Sequence, residues 1–153
     1  LPRAREADRE ERRLVLALRA RGSEARELAE ARAMTPVRVQ RRRAKGWRMP
    51  ENTVYVGRPT KWGNPFKPGR HGTAKDCVDL YQLAAGGLLC VSTDRSTIDA
   101  QKRLQKAVAS DLDELRGKSL ACFCRTDRPC HADVLLAIAN GLPLTPLPLT
   151  SIN

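Results

Sequence analysis

The chain has 153 residues, with 28 Lys and Arg against 17 Asp and Glu, a formal charge of +11, 41% hydrophobic residues and 4% aromatic ones. That hydrophobic content excludes a disordered chain, the few aromatics call for an aliphatic core, and no apolar run reaches the roughly 18 residues of a membrane span. Residues 1–50 hold 15 basic residues against 7 acidic ones, so the basic character belongs to the first third. Such a segment suits a polyanion, or else is a solvated, arginine-rich surface.

Leu1 opens the chain and Met34 is its first methionine, which fits processing, an unusual start codon, or translated upstream sequence over residues 1–33. Leu14, Val15 and Leu18 recur at helical spacing, so Asp8 to Arg21 is predicted helical, with Gly22 as its stop. Ser23 then caps a second helix from Glu24 to Ala33. The pattern is similar to a helix-turn-helix whose recognition helix would begin at Thr35-Pro36 and carry Arg38, Arg41 and Arg42. Arg32 and Ala33 depart from that motif, and a charged helical hairpin is the expected form. Val37 to Arg42 alternates apolar and polar residues, which suits an edge strand and competes with the recognition helix.

Thr53 to Gly57 is a clearer strand, followed by a loop from Arg58 to Arg70 with three prolines and two glycines. Thr73 caps a helix to about Ala85, and Gly86-Gly87 breaks it before Leu88 to Val91, a ragged continuation or a short strand. Ser96 or Thr97 starts another helix through Ala109, and a further turn spans Asp111 to Leu115. Ser119 to Cys124 is a strand, and a last helix ends at Asn140-Gly141. The Pro-rich tail, 142–153, is expected to be extended and poorly ordered. These elements predict an α/β fold: a small, mostly parallel sheet flanked by helices, over residues 35–141, after a helical appendage over 1–34. The strands at Val54 and Leu120 should be central. The opening residues are rich in Arg and Glu and lack the apolar stretch of a secretory signal, and the five cysteines are an odd number, so reduced thiols and a cytoplasmic setting are expected.

The sharpest signal is Cys122-Phe123-Cys124-Arg125-Thr126-Asp127-Arg128-Pro129-Cys130-His131, lying between a strand and a helix. Open α/β sheets bind ligands at such strand exits. Three readings stand beside one another. Cys122, Cys124, Cys130 and His131 form a ligand set suited to zinc. Alternatively, Cys130 at a helix N-terminus is a nucleophile, with His131 as acid or base. In the third reading the cysteines are small buried hydrophobes. Cys77 and Cys90 have no partner spacing and are expected to pack, and His71 should face solvent.

The second unusual segment is Gly57-Arg58-Pro59-Thr60-Lys61-Trp62-Gly63-Asn64-Pro65-Phe66. Arg58 and Lys61 suit phosphate, Trp62 and Phe66 suit stacking on a base, and Asn64 suits reading a base edge. Gly57 and Gly63 suit close approach to a ligand. The competing reading makes this a structural loop, its aromatic residues plugging the core and Asn64 bracing a turn. No glycine-rich dinucleotide or phosphate-loop motif is present, which argues against a standard NTP site. With LRGKSLACFC and CHADVLLAIAN, the segment makes residues 36–140 resemble a small family of phages and actinobacteria, domain of unknown function family 4326. The resemblance implies a shared fold and no activity. Phe123 stands where that family commonly has Trp. Two functions follow from the residues: an enzyme-like site for a nucleotide, nucleoside or modified base, or a nucleic-acid-binding accessory protein. The accessory protein would use Arg38, Arg41, Arg42, Arg43, Lys45 and Arg48. The oligomeric state is not legible.

Overall fold

The computed structural model describes residues 2–33, 35–89, 94–144 and 146–147. Two compact units emerge, Leu1–Thr35 and Pro36–Asn153. Cys90 and Val91 of the predicted segment from Leu88 to Val91, and most of the C-terminal tail, lie outside the described residues.

The first unit is one uninterrupted helix, α1 (Pro2–Ala33). This corrects both the predicted break at Gly22 and the helix-turn-helix. An interior glycine costs a helix only about 1 kcal/mol, and here strong helix formers surround it. Ser23 does not cap; its hydroxyl donates to the Ala20 carbonyl at 2.8 Å, inside the helix. Nor does Thr35-Pro36 open a recognition helix, because the chain goes straight into a strand.

The second unit contains β1 (Arg38–Gln40), β2 (Thr53–Tyr55), α2 (Ala74–Ala85), α3 (Arg95–Ser110), a 3-10 turn (Leu112–Glu114), β3 (Ser119–Cys122) and α4 (His131–Asn140). Its three strands are all parallel, in the order β1-β3-β2. Val54 faces Leu120, and Val39 faces Ala121. Only β3 is central, so the expectation that the Val54 strand is also central is corrected. Leu120, Ala121 and Cys122 are all buried, as a strand covered on both faces requires. The strand stops at Cys122, two residues short of the predicted end.

Local chemistry sets the helix ends. At α2, the Thr73 hydroxyl accepts from Asp76 N–H at 3.2 Å and the Asp76 carboxylate accepts from Thr73 N–H at 2.7 Å, a complete capping box. The cap of α3 is Asp94 rather than Ser96 or Thr97. Its carboxylate accepts from Ser96 N–H at 3.3 Å and from the Ser96 and Thr97 hydroxyls at 2.8 and 2.7 Å. Gly141, at φ 65°, closes α4 in the left-handed conformation glycine tolerates best. Helix α4 packs on β3 and β1, and α2 packs on α3 and α4. The core joins Leu104, Leu115, Leu120 and Leu135 to three buried aromatics, Trp62, Phe66 and Tyr81, so it is less purely aliphatic than the composition suggested. The Tyr81 hydroxyl, fully buried, donates to the Trp62 carbonyl at 2.7 Å.

Candidate metal centre and its cavity

Two side chains that β3 and the following turn place near one another begin the site. Cys122 is the last residue of β3, and Cys124 follows the outward-facing Phe123. Their sulfurs lie 3.6 Å apart. A loop then returns the chain to α4, where Cys130 is the N-cap and its sulfur accepts from Ala132 N–H at 3.5 Å. All three sulfurs lie within 4.8 Å of one another. A tetrahedral zinc ion with bonds of about 2.3 Å holds its sulfurs roughly 4 Å apart, so the trio is spaced to share one ion. Hydrogen bonding among the sulfurs, from Cys124 first and Cys130 next, pulls the Cys122 thiol far below its usual range. The same sharing pushes Cys124 and Cys130 upward.

His131 does not join that group. As the first residue of α4 its ring turns into the core, where Nε2 lies 2.8 Å from the Val56 carbonyl and Tyr81 packs at 5.1 Å between centroids. A carbonyl only accepts, so Nε2 carries the proton and Nδ1 is left as an acceptor, 3.7 Å from the Cys130 sulfur. Burial lowers the His131 pKa and keeps the ring neutral. The geometry therefore shows a three-sulfur set where the sequence suggested four ligands. Consecutive residues at a helix start diverge, and each here has its own partner. Cys130 is only 1% exposed, which is unfavourable for a reactive nucleophile; Cys124 is the exposed sulfur.

A family model described as a domain of unknown function, DUF4326, matches residues 39–141. The chain belongs to that family. No curated protein and no solved structure matches it.

In this DUF4326 domain the trio opens on a cavity of about 340 Å³. Its walls include Arg58, Asn64 and Phe66 from the glycine-rich loop, and Tyr55, Arg43 and Phe123, which sequence reasoning did not place there. Tyr55 and Phe123 meet edge to face at 5.9 Å. The Arg41 guanidinium lies over both rings, at 4.4 and 5.3 Å, and Arg43 lies 4.8 Å over Phe123. The only advance signal was Phe123 itself, an aromatic residue set between two cysteines.

Lys61 and Trp62 are elsewhere. Lys61 pairs with Asp111 at 2.7 Å and Glu114 at 2.9 Å, and Trp62 is buried in the core. Asn64 braces its own turn: Oδ1 accepts from Phe66 N–H at 2.9 Å and Nδ2 donates to the Cys77 carbonyl at 3.1 Å. The two glycines of the loop serve packing. A Cβ on Gly57 would come within 2.6 Å of the Tyr55 ring, and one on Gly63 within 2.9 Å of the Arg58 side chain. Cys77 is buried, and burial raises its pKa.

Arg38, a candidate nucleic-acid contact, is taken up inside the domain. Its guanidinium pairs with Asp133 at 2.6 Å and donates to the carbonyls of Arg125, Thr126 and Arg128 at 3.2, 2.5 and 2.9 Å. It therefore clamps the loop that carries the chain from Cys124 to Cys130. Arg42, Lys45 and Arg48 are exposed on the segment between β1 and β2.

Proposed function

We propose that the DUF4326 domain is a metal-dependent small-molecule site. Cys122, Cys124 and Cys130 hold one zinc ion, and a nucleotide, nucleoside or modified base occupies the adjoining cavity. The observation that carries this reading is the convergence of three sulfurs within 4.8 Å on the wall of an open cavity. Zinc suits thiolate ligands, and a three-ligand set leaves a position for a water or a substrate atom. A zinc ion held by these three sulfurs would act as a Lewis acid towards a group bound beside it. The chain's own residues do the remaining work. Tyr55, Phe66 and Phe123 give an apolar wall for a flat heterocycle, and Arg43 and Arg58 meet electronegative edges. Asp and Glu are absent from the described lining, and the acceptor nitrogen Nδ1 of His131 lies on this wall, 3.7 Å from the Cys130 sulfur.

Metal analysis of protein purified without added zinc, followed by cobalt substitution, tests the centre. One equivalent of zinc and an intense sulfur-to-cobalt charge-transfer band are expected, both lost in Cys124→Ser. Absence of the band in the wild-type protein would sink the metal reading. A panel of bases, nucleosides and nucleotides followed by NMR then tests the ligand class, with shifts expected around Tyr55 and Phe123. The exposed Arg42, Lys45 and Arg48 favour a second reading, nucleic-acid binding. That reading demands duplex binding that weakens steeply with salt and is lost on reversing those three charges.

A further inference from the structure

A second cavity, of about 290 Å³, adjoins the first, and Arg58 and Asn64 line both. Its composition is different. Arg58, Lys67, Arg70 and Arg103 bring four cationic side chains to it from two stretches of the loop and from α3. The carboxylate there is that of Asp94, which is bonded to Ser96 and Thr97 and lies 3.5 Å from Arg70. Its pKa is lowered to about 2 by those hydroxyls, so it stays ionised and offsets one of the four cations. Among the described residues no carboxylate pairs with Arg58, Lys67 or Arg103. His71 also lines this cavity, and its Nδ1 accepts from Lys67 N–H at 2.9 Å, so in the neutral ring Nε2 is a free donor.

Like charges gathered in a concave site repel one another, and an anion relieves that cost. The donor set is mixed: forked guanidinium groups, an ammonium and an imidazole N–H. It matches a group with several acceptor oxygens, which a phosphoryl group has and a single carboxylate does not.

We infer that this second cavity binds the phosphate of a small-molecule ligand, so that the substrate is a nucleoside phosphate straddling Arg58, its heterocycle against Phe123 and Tyr55 and its phosphate among Lys67, Arg70 and Arg103. The straddling rests on the ligand reading proposed for the first cavity; the phosphate site stands on its own charges. Calorimetry on the full chain in a metal-free buffer, with pyrophosphate, a nucleoside and its 5′-monophosphate and 5′-diphosphate, tests both. Pyrophosphate should bind, and the nucleotides should bind about tenfold or more tighter than the nucleoside, the scale of one charge-assisted contact. Lys67→Glu and Arg103→Glu should each abolish that advantage and leave nucleoside affinity unchanged. Equal affinity for nucleoside and nucleotide, with no pyrophosphate binding, overturns the phosphate site while the first-cavity reading survives. Pyrophosphate binding without any nucleoside binding supports the second cavity and overturns the straddling ligand. Binding of duplex DNA alone, with no small phosphate bound, overturns the inference outright.

Discussion

Replacing Arg38 by Met keeps the apolar stem of the side chain and removes every hydrogen bond its guanidinium makes. Three contributions are lost. The ion pair with Asp133 is short, at 2.6 Å, but the Asp133 side chain is 54% exposed, so it is worth only about 0.5–1 kcal/mol. Nη2 has two protons for three carbonyls, so it counts as at most two full bonds. Bonds from a charged donor are worth about 1.5–3 kcal/mol each, yet the acceptors belong to exposed residues and water can replace the donor, which favours the lower bound. The sum is about 3.5–4 kcal/mol in the metal-free protein, measurable by urea denaturation in the presence of a chelator. A second effect follows from position. The loop that Arg38 clamps separates Cys124 from Cys130, so zinc affinity should fall about tenfold or more, as for other residues that brace metal ligands. Competition with a chelating dye reads that fall. Arg38→Lys should recover the ion pair but not the carbonyl bonds, since an ammonium lacks the planar fork. A Met variant within about 0.5 kcal/mol of wild type, the range of an ordinary surface change, would refute the reasoning.

Three further outcomes are expected. Tyr81→Phe leaves the Trp62 carbonyl without its buried donor and should cost about 1–2 kcal/mol, read from the denaturation midpoint. Gly57→Ala drives a Cβ against the Tyr55 ring and should cost about 1–3 kcal/mol, with part recovered when Tyr55→Leu removes the obstruction. Asp94 has a folded pKa of about 2 against an ordinary 3.8, so its contribution is full above the ordinary value and is lost as pH falls through the folded one. The gap in melting temperature between wild type and Asp94→Asn should therefore close on acidification towards pH 2, and a gap that widens would contradict the cap.

Elements with signals at both ends were legible from sequence: Thr73 and Asp76 box the start of α2, and Gly141 closes α4 where Asn-Gly was read as a stop. Helix α1 was misread because Gly22-Ser23 looks like a stop and a cap, whereas long runs of Ala, Arg, Glu and Leu on either side carry the helix through. The sulfur trio was legible because its members lie within nine residues of sequence; the exclusion of His131 was not, since it depends on Val56, 75 positions away. Lys61 likewise read as a free cation because nothing local announces Asp111, 50 residues downstream. The cavity walls Tyr55 and Phe123 acquire meaning only once β2 and β3 are known to be neighbours.

The order β1-β3-β2 has a consequence for how the domain comes into being. Both outer strands pair with β3 alone, and Val37 meets Ser119 across 82 positions of chain. As synthesis proceeds from the N-terminus, β1 and β2 emerge with no partner and must wait, unpaired, until β3 has left the ribosome. Loop closure on that scale slows folding, and the waiting strands display open hydrogen-bonding edges. A nascent chain arrested anywhere before Ser119 has no sheet at all, so ribosome-stalled lengths should switch from protease-sensitive to protected only after β3 and α4 are exposed. Folding of this domain is thus tied to the arrival of the same segment that delivers the three cysteines.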